Sequence, residues 1–255
     1  MKKHYTICAL LSVLVWGSAC RSPYHLQHIE RTRILIDKTY DAQPDMAAKA
    51  WIQPYQAQVD SMMNPIVGRV GCYLAADRPE SPLSNLLTDI LMWAGKDYQE
   101  KPDFAVYNIG GMRAALAEGD VTIGDVLEVA PFDNKICFVN LTGTKVKELF
   151  SQIAMQRGEG VSHGVELEIT KDGQLKSARL NGKEIDDATT YRIATIDYVA
   201  QGNDKMTAFK SSTDINQPEG EENNVRFVIM NYLREMAKQG ITVTAKKEGR
   251  IIVKE

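Results

Sequence analysis

The sequence predicts a mixed α/β (α+β) domain, with helices flanking sheets that hold both parallel and antiparallel neighbours. Three observations lead there. Helix-period and strand-like apolar runs alternate through the first half of the chain. In the second half, short strands are separated by the hairpin dipeptides Asp172-Gly173 and Asn181-Gly182. The 255 residues, 44% hydrophobic and 25% charged, have an ordinary globular composition with enough apolar side chains for a substantial core, which excludes a disordered or low-complexity chain. A formal charge of -3, with no basic run longer than Lys2-Lys3 and Lys246-Lys247, speaks against a nucleic-acid partner.

The elements follow in order. Lys2 and Lys3 precede an apolar stretch, Tyr5 to Trp16, that is too short to span a bilayer and reads as an export signal over residues 1–19. Gly17-Ser18-Ala19 leads into Cys20, similar to the cleavage box of bacterial lipoproteins, in which the cysteine is acylated. An ordinary cleaved signal with an incidental cysteine is the alternative. Lipidation at Cys20 implies an exported protein held on a membrane and facing the periplasm or cell surface. Residues 20–44 read as a tether with a first ordered segment, including an edge strand at Thr32 to Ile36, and residues 45–255 as the domain. Cys72 and Cys137 lie in separate strand-like contexts and read as two buried thiols rather than a disulfide.

Met46 to Met63 carries a loose 3.6 period, with Pro54 expected to kink or divide the helix and Asn64-Pro65 to end it. Ser81 is an N-cap with Pro82 at the first helical position, and Leu83, Leu86, Leu87, Ile90, Leu91 and Ala94 mark a buried face. Asp103 to Asn108 reads as a buried strand closed by a Gly110-Gly111 turn, and Thr122 to Leu127 as a short helix. A strand at Lys135 to Leu141 precedes a helix with Val146, Leu149, Phe150, Ile153 and Ala154 on one face. Strands follow at Gly164 to Thr170, Leu175 to Leu180 and Tyr191 to Ile196, then a helix from Val225 to Met236 stopped by Gly240, then a strand near Ile251 to Val253.

Most catalytic chemistries find no residues here. Beyond the signal the histidines are His25, His28 and His163; the first two lie in the tether and His163 sits among turn residues with no evident partner. No His-x-His or His-Glu-x-x-His is present, so no metal is expected in this chain. A Gly-x-Ser-x-Gly elbow is absent, and Gly110-Gly111 lacks both the P-loop Lys-Ser/Thr and the Rossmann spacing. No catalytic residue is assigned.

Three places are suited to a ligand. Asn108-Ile109-Gly110-Gly111-Met112-Arg113 sets an amide, a tight turn and a guanidinium at a strand end, where α/β sheets place ligands. Pro131-Phe132-Asp133-Asn134 puts an aromatic ring in a polar loop, and Tyr198 precedes Asp204 by six residues in a turn. Two rings can sandwich a flat base, a carboxylate can accept both hydroxyls of a ribose, and an arginine can bind phosphate. Each stretch also reads as an ordinary turn or half-buried core.

In order and spacing the three resemble the C-terminal domain of the 5'-nucleotidase family, from about Tyr55 to Phe209. Glu80-Ser81-Pro82-Leu83-Ser84-Asn85-Leu86 is similar to the family's Glu-x-x-x-Gly-Asn-Leu, with Ser84 for glycine. Asn108 to Arg113 resembles Asn-x-Gly-Gly-Ile-Arg; Gly119-Asp120-Val121-Thr122, Pro131-Phe132 and Leu141-Thr142-Gly143 resemble the Gly-x-Ile-Thr, Pro-Phe and Leu-x-Gly blocks; and Asp197-Tyr198 to Asp204 resembles the aromatic and Gly-Gly-Asp turn.

The resemblance implies a base stacked between Phe132 and Tyr198, the latter where phenylalanine is common, with Asp204 on the ribose and Asn108 and Arg113 as polar and phosphate-facing contacts. A further family arginine precedes the Glu80 motif, and Arg78 stands near that place. The family's Gly-Gly-Asp-Gly turn reads Gly202-Asn203-Asp204-Lys205, with Asn203 expected to tolerate a positive φ. Full-length members carry an N-terminal metallophosphoesterase domain, and only about forty residues separate the signal from Tyr55, far below a usual domain length. The implied protein is the nucleotide-recognition half of a split 5'-nucleotidase, binding a nucleoside monophosphate or nucleoside and relying on a separate metallophosphoesterase subunit for divalent metals. A non-catalytic nucleoside- or nucleotide-binding lipoprotein and a structural relic with an empty pocket are the alternatives.

Overall fold

The computed structural model describes residues 28–42 and 44–254; the signal stretch, Cys20 and His25 lie outside them. The chain divides at Trp51 and Ile52 into two units. In the first, residues 28–36 form no regular element, so the edge strand expected at Thr32 to Ile36 is absent: every residue there is exposed and no neighbouring strand supplies ladder partners. Asp37 caps a 3-10 turn at Lys38–Tyr40.

Helix α1, Met46–Met63, runs unbroken through Pro54, against the expectation of a kink or division. None of its residues is buried, so the carbonyl freed by the missing proline N–H is open to water and the lost bond does not stop the helix. It ends before Asn64-Pro65, as the sequence predicts.

The second unit holds strands in three sheets. β1 (Ile66–Val70) pairs with β3 (Gly119–Thr122). The central five-stranded sheet combines β2 (Phe104–Tyr107), β4 (Ile136–Thr142), β5 (Gly160–Val161), β9 (Thr190–Ile196) and β10 (Thr213–Asn216) in the order β10-β4-β9-β2-β5. β2 and β9 are parallel, while β4 is antiparallel to β9 and β5 is antiparallel to β2, which gives the mixed sheet the sequence predicts. A four-stranded sheet has the order β11-β6-β7-β8, from β6 (Val165–Thr170), β7 (Leu175–Leu180), β8 (Lys183–Glu184) and β11 (Ile251–Lys254), with β11 parallel to β6. Asn181-Gly182 turns β7 into the two-residue β8 and not into the strand at Tyr191; that strand crosses to the central sheet, where its buried residues Ile193 to Ile196 are covered.

Helix α2, Pro82–Ala94, begins in a reciprocal capping box between Ser81 and Ser84 and buries the apolar face the sequence marks. α3 (Ile123–Val129) is capped by Thr122 and Asp125, α4 spans Gly143–Met155, α5 is the short helix Asp197–Ala200, and α6 (Val225–Lys238) is capped by Asn224. Their inner faces join the strands in one continuous core that includes Phe104, Phe138, Phe150 and Phe209. Cys137 is buried, and burial pushes its thiol pKa up to about 11, which makes it an unreactive thiol. Cys72 is only half-buried, with Sγ 3.6 Å from the Ala245 carbonyl; both cysteines are free. His163 is exposed but has a partner after all, with Nδ1 3.0 Å from a Glu248 carboxylate oxygen.

Candidate functional site

Strand directions in the central sheet bring the ligand-suited loops to one edge. β2 and β9 are parallel neighbours, so both C-terminal ends, leading into Asn108 and Asp197, emerge on the same side. β4 is antiparallel to β9 with Ile136 opposite Ile196, so the loop entering β4, with Phe132 and Asn134, arrives at that side too. The Lys135 carbonyl accepts from the Asp197 N–H at 2.9 Å and ties two of the loops together.

Between them lies a cavity of about 360 Å³. Asn108, Gly110, Gly111 and Arg113 line it from the first loop, Phe132 and Asn134 from the second, Tyr198 and Asp204 from the third. Five of the six candidate side chains thus share one wall-to-wall site. Asn134 belongs to the loop singled out in the sequence, but nothing in its local pattern distinguishes it from a turn residue. Phe132 and Tyr198 keep 47% and 38% of their surface exposed, so both rings are open toward the cavity they line.

The floor is built from backbone. After β2 the chain makes a 3-10 turn at Ile109–Gly111. A Cβ on Gly111 would sit 2.8 Å from the Asn108 Oδ1 and 3.0 Å from the Tyr107 ring, so only glycine lets the turn pack this tightly against the strand end. Gly110 carries no such constraint, but its carbonyl accepts from an Arg113 Nη at 3.2 Å and holds that exposed guanidinium at the rim.

Asp204 is the polar centre. One carboxylate oxygen accepts from the Asn108 Nδ2 at 2.5 Å and the other from the Tyr198 hydroxyl at 3.1 Å, while its own carbonyl accepts from Gln156 Nε2. The hydrogen bond to Asp204 and the charge of that carboxylate push the Tyr198 phenol pKa up. The expectation of a positive φ at Asn203 fails: positive φ falls on Asp204 and Lys205, and Asn203 spends its side-chain amide on the Tyr198 carbonyl at 2.8 Å. With its NH2 committed to Asp204, the buried Asn108 leaves Oδ1 with no hydrogen-bond partner among the described residues.

Arg78 is not among the cavity-lining residues. Its Nε donates to the Gly158 carbonyl at 2.8 Å and its Nη2 to Glu159, a carboxylate only 1% exposed that also accepts from the Ile109 N–H. Burial raises the Glu159 pKa, and the Ile109 N–H and Arg78 oppose that rise. No local pattern in the sequence marks Glu159 as a neighbour of the cavity floor. Among the described residues no group of three or more His, Cys, Asp or Glu side chains is arranged to hold a metal ion.

The family model described as "5'-nucleotidase, C-terminal domain" matches residues 63–211, more than half of the chain. The chain belongs to this family. The 5'-nucleotidase C-terminal domain here is 27% identical over 156 residues to Protein UshA of Escherichia coli, covering 60% of this chain and 28% of that protein. It is 29% identical over 236 residues to the trifunctional nucleotide phosphoesterase protein YfkN of Bacillus subtilis, covering 85% of this chain and 16% of that one. The 5'-nucleotidase precursor of Thermus thermophilus superposes with a TM-score of 0.70 at 25% identity over 82% of this chain and 43% of that structure. This chain therefore spans less than a third of the length of these two curated relatives.

Proposed function

We propose that this domain recognises a nucleoside or nucleoside monophosphate in the 360 Å³ cavity. The observation that carries the reading is the convergence of two exposed rings, a fixed carboxylate and a rim guanidinium, from three loops, on one cavity. The base stacks between Phe132 and Tyr198, Asp204 accepts from the ribose diol, Asn108 holds Asp204 in place, and Arg113 faces the phosphate. Names such as nucleotide phosphoesterase and 5'-nucleotidase among the relatives support the ligand class.

Calorimetry on four variants tests it. Stacking contributes about 1–3 kcal/mol per base, so Phe132→Ala and Tyr198→Ala each weaken nucleoside binding by about 5- to 150-fold. Asp204→Ala removes the preference for ribo- over 2'-deoxyribonucleosides, and Arg113→Ala removes the advantage of the monophosphate over the nucleoside, an advantage that shrinks with salt. Equal losses for all ligands in all four variants would contradict the assignment.

Hydrolysis, on this reading, belongs to a separate metallophosphoesterase subunit that supplies the divalent metals; this chain presents the substrate. No cluster in the described residues fits metal ligation, so no hydrolytic step is assigned to its side chains. The purified chain is expected to release no phosphate from nucleoside monophosphates with Mn²⁺, Zn²⁺ or Mg²⁺, and metal-dependent turnover abolished by a mutation in this chain would refute the division of labour. A non-catalytic nucleotide-binding lipoprotein differs only in the absence of such a subunit.

Export and anchoring through Cys20 complete the proposal. No helix among the described residues is long and apolar enough to cross a membrane. On this reading the lipid on Cys20 supplies the membrane attachment. Cys20→Ala should move the protein from the membrane fraction to the soluble one; a parent already wholly soluble would favour an ordinary cleaved signal.

A further inference from the structure

We propose that Arg78 and Glu159 form a positioning pair for the cavity floor, and that Arg78 acts on the ligand only through Glu159. The inference rests on the nucleotide reading above but assigns Arg78 a different part from a phosphate contact. The geometry is set by β5. Gly160 pairs with Tyr107 at the end of β2, so the residue before it, Glu159, falls beside the start of the Ile109–Gly111 turn. There one Glu159 oxygen accepts from the Ile109 N–H at 2.5 Å, and the other accepts from Arg78. The Ile109 N–H opens the turn, so the carboxylate supplies a partner that the turn cannot supply to itself.

Glu159 is almost fully buried, whereas 38% of the Arg78 side chain reaches solvent. A buried carboxylate without a counter-charge is costly, and Arg78 is its counter-charge. Arg78 is not among the residues that line the 360 Å³ cavity; it borders a different cleft, with Pro79, Arg157 and Thr170. Loss of Arg78 therefore leaves a buried negative charge against the backbone that carries Gly110, Gly111 and Arg113, and the whole floor loosens. An arginine that touched phosphate would affect the phosphate alone.

A double-mutant cycle read with two ligands separates these roles. Arg78→Ala should weaken adenosine and adenosine monophosphate by the same factor, about 10-fold, whereas Arg113→Ala affects only the monophosphate. Glu159→Gln keeps the shape and an acceptor for the Ile109 N–H without the charge, so it costs less, and adding Arg78→Ala to it costs under about 3-fold more. A loss confined to the monophosphate that persists in the Glu159→Gln background would make Arg78 a direct phosphate ligand and overturn the proposal. Amide exchange of Ile109 in the ligand-free protein gives a readout that needs no nucleotide: Arg78→Ala should accelerate it by about 10-fold. Unchanged exchange at Ile109 would also overturn the pair. If the parent binds neither ligand, the nucleotide reading fails and the exchange result alone decides the positioning role.

Discussion

Gly158→Ala is expected to destabilise the domain by about 3 kcal/mol or more and to weaken nucleoside binding at the same time. Gly158 has φ +109, a conformation that costs any side chain strain, and a Cβ there would lie 2.3 Å from the Pro79 carbonyl oxygen and 2.6 Å from the Pro79 Cα. Both contacts are backbone, so no rotamer change can relieve them. The loop must shift, and with it Glu159 and the Gly158 carbonyl that accepts from Arg78. Urea denaturation of parent and variant measures the first effect and calorimetry the second. A variant within 1 kcal/mol of the parent and with full affinity would show that this loop is not tied to the cavity floor.

Arg250→Met should cost about 3 kcal/mol, because it removes a buried guanidinium from two carboxylates, Asp89 and Glu248, that keep part of their surface in water. The Arg250 side chain is 4% exposed. Its guanidinium forks onto Asp89, at 2.9 and 2.7 Å, donates to the Val161 carbonyl at 2.9 Å, and meets Glu248 through Nε at 3.0 Å and Nη2 at 2.8 Å. It thereby joins α2, β5 and the segment before β11, while the buried Glu80 accepts from the backbone N–H groups of Glu248 and Gly249. Lysine offers one point charge in place of the planar fork, so Arg250→Lys should recover little. The effect depends on pH in one direction. The hydrogen bond from His163 and then those from Arg250 hold the Glu248 carboxyl below the ordinary glutamate range. Its contribution is fully present above the unfolded glutamate pKa and is lost as pH falls through the lowered folded value. The stability gap between parent and Arg250→Met should therefore narrow in acid, and a gap that widens there would contradict the network.

What was legible in the sequence follows from how local each signal is. The face of α2 reads directly from Leu83, Leu86, Leu87, Ile90, Leu91 and Ala94, and its start from Ser81-Pro82, because spacing and caps lie within a few residues. The same holds for α4, α6 and the longer strands. β5 and β8, two residues each, carry no period, and β3 reads Gly-Asp-Val-Thr, too polar to stand out. Sheet membership was illegible as well: the strand after Asn181-Gly182 continues a meander on local evidence, yet β9 crosses to the central sheet for its parallel partner β2. Helix α1 shows the opposite error, since Pro54 is a breaker whose effect depends on what surrounds it.

The site divides the same way. Phe132, Tyr198, Asp204, Asn108 and Arg113 stand in motifs whose order carried the family resemblance, and the fold brings all five to one cavity. Arg78 falls outside it because its side chain turns to Glu159. Glu159 itself sits between two glycines and looks like a solvated loop residue; only the pairing of β5 with β2 buries it. Asp204, one of the two residues with positive φ, is likewise held by Asn108 and Gln156, which lie far off in sequence, as well as by nearby Tyr198.

The claim that this cavity stacks a base between two rings is open to one direct measurement, chemical-shift mapping by NMR as adenosine is titrated to millimolar concentration. The account predicts ring-current shifts of the Phe132 and Tyr198 ring protons, with amide shifts at Gly110, Gly111 and Asp204, all saturating together. Saturable shifts confined to another face of the domain, or none at any of these residues in a folded protein, would contradict it.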